Sequence, residues 1–170
     1  GHAIISHGLQ SSPDATKATA LARAAEALGW STELPDYRDI DAKGVLGDVP
    51  ARIARLRELA ARAPRPLVLA GSSMGAFISG HVSCEVPVLG LFLMAPPASL
   101  DIAPKHLRAA VVPTTIVHGW NDELIPAMDV VRWAQRRNDR LVMVPDDHRL
   151  SGHVEFCAEV FARMLQRLVP

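Results

Sequence analysis

Short apolar runs alternate along the chain with longer amphipathic stretches. The apolar runs cover residues 3–6, 66–71, 88–95, 114–118 and 141–144, with a weaker one at 30–34. Each has strand length, and most are continuous rather than alternating, the pattern of strands covered on both faces. Between them the apolar spacing becomes helical. Val49, Ile53, Leu56 and Ala60 form one stripe, ended by Pro64, and Val154, Cys157, Phe161, Leu165 and Leu168 form another. The alanine-rich stretch 14–28 closes at Gly29, a residue suited to a helix C-terminus, and a further helix is predicted from Pro126.

This rhythm predicts an α/β fold, a three-layer α/β/α arrangement with a mostly parallel sheet of about six strands. No repeat, low-complexity tract or linker interrupts it, so residues 1–170 are expected to form a single domain. Right-handed crossovers would bring the strand-to-helix loops to one edge of the sheet, where ligands bind in such folds. Polar residues just after apolar runs therefore carry the interest.

Composition narrows the function classes. Lys plus Arg and Asp plus Glu both number 18, which removes any electrostatic case for nucleic acid or an anionic membrane as partner. Arg52, Arg55, Arg57 and Arg62 interleave with an apolar stripe and are read as a solvated helix face. Cys84 and Cys157 stand in no metal-type spacing and are expected to be buried free thiols, consistent with a reducing compartment. No run is long enough to span a bilayer and no secretory signal is read at the start, so a cytoplasmic location is expected.

Four loops follow apolar runs with reactive residue types: Ser6-His7-Gly8-Leu9-Gln10, Gly71-Ser72-Ser73-Met74-Gly75, Gly119-Trp120-Asn121-Asp122-Glu123 and Pro145-Asp146-Asp147-His148-Arg149-Leu150. Three of them supply a serine, an acid and a histidine in that order. A serine hydroxyl needs a base, an orienter for that base and donors for an oxyanion. Ser73 has glycine two residues away on both sides and Ser72 does not; flanking glycines relieve crowding in a tight strand-to-helix turn. The same motif also suits a turn in which serine caps a helix. A phosphate loop is excluded because no Gly-Lys-Ser/Thr follows. His148 and His153 compete as base, and Asp122, Glu123, Asp146 and Asp147 as acid. Asp146 and Asp147 fit better as organisers of the local loop, and His7 and His118 as structural residues. No HExxH or paired ligand motif points to a metal.

His7-Gly8, Gly71-x-Ser73-x-Gly75, His118-Gly-x-x-Asp122 with Pro126, and Asp147-His148-Arg-Leu run across nearly the whole chain. With them it resembles a small, lidless serine hydrolase of the α/β-hydrolase superfamily. The resemblance implies Ser73 as nucleophile, Asp122 as acid and His148 as base, with an oxyanion hole from the backbone N–H groups of Met74 and Leu9. It implies cleavage of small or short-chain carboxylic esters through an acyl-enzyme, with no cofactor and a small acyl compound as partner. Thioester or amide hydrolysis and acyl transfer would use the same residues, and a non-catalytic interaction domain is the remaining alternative. Relatives begin with additional strands absent here, so a minimal six-stranded version is expected. Where many insert a cap, only residues 96–113 intervene, enough for a short helix and no lid. An open, shallow site is therefore expected, walled by Leu9, Gln10, Met74, Pro97, Trp120 and Leu150, with Gln10 and Trp120 as substrate contacts.

Overall fold

Six parallel strands form one sheet in the computed structural model, which describes residues 1–44 and 47–170. In chain order the elements are β1 (His2–Ser6), α1 (Thr16–Glu26), β2 (Ser31–Glu33), α2 (Arg38–Asp41), α3 (Val49–Arg62), β3 (Leu67–Ser72), α4 (Met74–Ser83), β4 (Gly90–Met94), β5 (Thr114–Gly119), α5 (Ala127–Arg137), β6 (Arg140–Val144), a 3-10 turn (Ser151–His153) and α6 (Val154–Leu168). The strand order is β2-β1-β3-β4-β5-β6, so the winding reverses between β1 and β3. A crevice opens at the carboxyl ends of strands where such a reversal occurs. The loop carrying His7 and Gly8 leaves β1 there, and the loop carrying Ser73 leaves β3 beside it.

Side-chain alternation explains why the central strands are apolar at every position. Ile4, Leu67, Leu69, Leu91, Leu93 and Ile116 pack with Leu56 of α3, Phe77 of α4 and Trp133 of α5 on one face. Ala3, Ile5, Val68, Ala70, Phe92, Met94 and Val117 pack with Leu21 of α1 and Phe161 of α6 on the other. Successive side chains of a strand point to opposite faces, so a strand covered twice needs both. Each fully buried large apolar side chain contributes about 1.5–3 kcal/mol. Helix α3 starts where Asp48 accepts a hydrogen bond from the Ala51 N–H at 3.0 Å, with Pro50 in the first turn, and Pro64 follows its end.

Several expectations need correction. Residues 96–113 contain no short helix. Prolines at 96, 97, 104 and 113 withhold amide donors, and the segment instead forms an antiparallel bridge between Ser99 and His106. Arg52 does not lie on a solvated face: it is completely buried, whereas Arg55 and Arg57 point outward to Asp39 and Glu85. Position 52 falls three residues after Val49 and four before Leu56, within the apolar stripe itself. Cys84 is exposed; only Cys157 is buried, and burial pushes its thiol up to about 11. Among the described residues no helix is long and apolar enough to cross a membrane.

Candidate active site

Ser73 occupies the turn between β3 and α4 with φ 54° and ψ −115°, a conformation costly for a residue with a side chain. Two hydrogen bonds hold it there, from its N–H to the Met94 carbonyl at 2.9 Å and from the Phe77 N–H to its carbonyl at 3.0 Å. The flanking glycines are needed for space. A Cβ on Gly71 would lie 2.3 Å from the Gly75 carbonyl carbon and oxygen, and one on Gly75 would lie 2.0 Å from the Ser6 oxygen. Backbone thus presses on backbone where α4 enters, and Ser73 is lifted onto the edge of the sheet. Ser72 stays in β3, paired with Met94 of β4.

His148, in the loop after β6, places Nε2 3.0 Å from Ser73 Oγ and Nδ1 2.7 Å from Asp122 Oδ2. Asp122, in the loop after β5, is fully buried at its side chain. Its Oδ1 accepts from the N–H groups of Ile125 at 2.7 Å and Leu124 at 2.9 Å. Burial pushes this carboxyl up, but the bonds from His148, Ile125 and Leu124 together more than offset it, and the group ends below its ordinary value. An ionised Asp122 accepts from His148 Nδ1–H. Nε2 is then left bare and able to take a proton from Ser73.

The rival residues have other partners. His153 Nδ1 lies 2.8 Å from Asp146 Oδ2, and Asp146 also accepts from the N–H groups of Asp147 and Gly152. Asp147 accepts from the Arg149 N–H at 2.9 Å, and Glu123 from the His148 N–H at 3.3 Å. His118 is buried behind the acid. Its Nε2 donates to the Ile125 carbonyl at 3.0 Å and lies 3.4 Å from Asp122 Oδ2, while its Nδ1 has no hydrogen-bond partner among the described residues. Burial holds the His118 imidazole below its ordinary pKa, in spite of Asp122 beside it.

The Met74 N–H is the first of α4, in the turn whose donors have no acceptor within the helix, and a Cβ on Gly8, just before Leu9, would lie 3.4 Å from Ser73 Cβ. Neither Met74 nor Leu9 donates its N–H to a backbone carbonyl among the described residues. The Met74 side chain is buried in the core and Leu150 is completely buried, so neither walls an open site, and Pro97 is buried as well. Gln10 is exposed and Trp120 is 52% exposed, but among the described residues neither hydrogen-bonds Ser73, His148 or Asp122. Two surface depressions, one beside Thr114, Arg137 and Leu168 and one beside Glu33, Arg55 and Arg62, both lie away from Ser73. No group of three or more His, Cys, Asp or Glu among the described residues is placed to hold a metal ion.

Sequence reasoning missed Arg52 and Lys17. Arg52 reaches the His7 and Gly8 carbonyls at 2.8 and 3.1 Å, and Lys17 Nζ reaches the Arg149 carbonyl at 2.5 Å. The position of Arg52 inside an apolar stripe is a usable signal; nothing local marks Lys17.

No family model and no curated protein matches the chain. Among solved structures, one assigned to the hydrolases of the alpha/beta superfamily, from Xanthomonas campestris pv. campestris, is 52% identical. It superposes with a TM-score of 0.96 over 98% of this chain and 99% of that one. An a/b serine hydrolase without lid, also from Xanthomonas campestris, gives a TM-score of 0.76 at 22% identity over 99% of this chain and 83% of that one. The esterase domain of a Rhodothermus marinus protein gives 0.73 at 18% identity over 98% and 86%. At these two lower identities the likeness is one of fold.

Proposed function

The chain belongs to the α/β-hydrolase superfamily, and on that premise we propose that it is a serine hydrolase cleaving small or short-chain carboxylic esters through an acyl-enzyme on Ser73. The observation that carries this reading is the unbroken relay from Ser73 Oγ through His148, at 3.0 Å, to Asp122, at 2.7 Å. Ser73 Oγ attacks the ester carbonyl as its proton passes to His148 Nε2. Asp122 keeps the imidazole in the required tautomer and stabilises the imidazolium. The N–H groups of Met74 and Leu9 receive the oxyanion, each worth about 3–4 kcal/mol. His148 returns the proton to the departing alkoxide, and a water activated by the same Nε2 then releases the acid.

The ester preference draws on the esterase domain that shares the fold and on exposed Trp120 beside the acid loop, an apolar surface for a short acyl or alcohol group. We take residues 1–170 as one domain with no cap, acting in the cytoplasm, where the unpaired Cys84 and Cys157 suit a reducing environment. A fluorophosphonate should label Ser73, and p-nitrophenyl acetate and butyrate should be turned over faster than matched thioesters or aminoacyl arylamides. Ser73→Ala should lose labelling and several orders of magnitude in kcat with its fold intact. Unchanged ester hydrolysis in that variant overturns the proposal, and a faster thioester or arylamide overturns its ester clause.

A further inference from the structure

We propose that Arg52 is a positioning residue for this reaction: from inside the core it grips the His7 and Gly8 carbonyls and thereby aims the Leu9 N–H as an oxyanion donor. The inference rests on the reading of Ser73 as nucleophile. Arg52 lies in the first turn of α3 and is completely buried. A buried charge is costly unless paired and fully hydrogen-bonded, and packing alone would be served as well by an apolar residue of similar volume.

The guanidinium meets that requirement with a specific set of acceptors. Nε donates to Asp41 Oδ1 at 2.7 Å and Nη2 to Asp41 Oδ2 at 2.6 Å, a two-pronged pair that fixes the plane of the group. The Tyr37 ring covers it, 4.4 Å from Arg52 Cζ to the ring centroid. The remaining reach goes to main chain: Nη1 to the His7 carbonyl at 2.8 Å and Nη2 to the Gly8 carbonyl at 3.1 Å. These two carbonyls immediately precede Leu9.

Peptide geometry converts this grip into an aim. In a trans peptide unit the C=O and N–H point in opposite directions. The unit joining Gly8 to Leu9 contains the Gly8 oxygen and the Leu9 N–H. The Gly8 oxygen accepts from Arg52 Nη2 and also from His7 Nδ1 at 2.8 Å. Two donors on the oxygen leave the plane little freedom to rotate, and the Leu9 N–H is held facing away from Arg52. Arg52 Nη1 holds the preceding peptide unit in the same manner. A carbonyl that accepts from a cation also makes the N–H of its own unit a stronger donor. The His7 ring is itself fixed, since its Nε2 accepts from the Tyr37 N–H at 2.9 Å, which leaves the proton on Nδ1, toward Gly8. Burial pushes this imidazole below its ordinary pKa, in the direction of the neutral ring that accepting from the Tyr37 N–H requires.

The proposal is tested by Arg52→Lys. Lysine keeps a positive charge beside Asp41 but cannot hold Asp41 and both carbonyls in one plane. With p-nitrophenyl butyrate, kcat should fall about 10- to 100-fold while KM stays within about twofold, because the lost interaction belongs to the transition state. Inhibition by a short alkylboronic acid, whose tetrahedral adduct needs the same donors, should weaken in proportion, with the pH profile unmoved. A folded Arg52→Lys with kcat within about threefold of the parent, or with only KM raised, overturns the proposal. Should Arg52→Lys fail to fold, Asp41→Asn loosens the guanidinium while leaving it in place; a kcat loss of about 3- to 10-fold at constant KM is then expected, and unchanged kcat overturns the proposal. The Leu9 amide resonance separates this idea from the hydrolase reading. If the parent protein neither labels nor turns over ester while that resonance shifts in the variant, the hydrolase reading fails and takes the oxyanion role with it, and only the hold of Arg52 on the Leu9 peptide unit survives. An unmoved Leu9 resonance overturns the positioning itself.

Discussion

Asp122→Asn tests the relay at the level of single atoms. The Asp122 Oδ1 position receives the N–H groups of Ile125 at 2.7 Å and Leu124 at 2.9 Å, so only an acceptor can stand there. The asparagine carbonyl must therefore take that place. Its NH2 then falls where Oδ2 was, 2.7 Å from His148 Nδ1 and 3.4 Å from His118 Nε2. His148 can meet an N–H donor only by moving its own proton to Nε2. That nitrogen now donates to Ser73 Oγ, 3.0 Å away, and cannot accept the serine proton. Wrong-tautomer losses of this kind run to about 10⁴ in kcat, or ~5.5 kcal/mol of transition-state stabilisation. Two of the native bonds survive in the variant and the side chain is isosteric, so the cost to stability stays near 1–3 kcal/mol, about the value of one charged hydrogen bond. The assay is p-nitrophenyl butyrate hydrolysis at neutral pH, with a thermal melt to verify folding. A folded variant whose kcat lies within tenfold of the parent would refute the relay, since a His148 protonated on Nε2 has no means of taking the serine proton.

Two further outcomes follow from the same geometry. Gly75→Ala adds a Cβ 2.0 Å from the Ser6 oxygen and 2.9 Å from the His7 oxygen, atoms of main chain that cannot swing aside; the variant should lose about 1–3 kcal/mol or more in urea unfolding and displace the Leu9 loop, so that kcat also falls. Parent-like stability and kcat would show that the contact between α4 and β1 is looser than described. The Asp122 carboxyl is held below its ordinary value, so the folded chain gives up that proton more readily than the unfolded chain. Its stabilising effect is full above the ordinary carboxylate pKa, roughly 4, and is lost as the pH falls through the lowered folded value. Urea midpoints for the parent and Asp122→Asn should differ at neutral pH, and the gap should narrow as the pH falls below about 4 toward the lowered carboxyl value. A gap that does not narrow at all on acidification below about pH 4 would contradict the assignment.

What the sequence makes legible is what local sterics dictate. β3 and β4 stand in the middle of the sheet under two layers, and their unbroken apolar runs announce it. β2 is a three-residue edge strand with exposed or half-buried positions, and its signal is accordingly weak. The turn at Ser73 can be read because its requirement is confined to the spacing of Gly71 and Gly75, where a missing side chain is itself the message. Arg52 misleads for the opposite reason. Its place in the stripe points inward and its charge points outward, and only the carbonyls of residues 7 and 8 with the carboxylate of Asp41, distant in the chain, resolve the conflict. The stretch 96–113 lacks such a partner in sequence as well: its bridge from Ser99 to His106 spans the loop.

The choice between His148 and His153 shows how tertiary register assigns roles that proximity cannot. β5 and β6 run parallel, with Gly119 and Val144 as their last pair, so the two following loops leave the sheet side by side. Asp122 lies three residues beyond the one and His148 four beyond the other, and register alone brings them to 2.7 Å. A slip by one residue would turn every β6 side chain to the other face and separate them. Asp146 and Asp147 are nearer in sequence but are spent on the loop itself. Asp146 binds the Gly152 N–H and His153 Nδ1, and closes the loop around Leu150, which is fully buried with φ 55°. Lys17, from α1, grips the Arg149 carbonyl from the far side. His153 therefore serves the loop that presents His148, and its use of Asp146 leaves the imidazole of His148 to the carboxylate that comes from another strand.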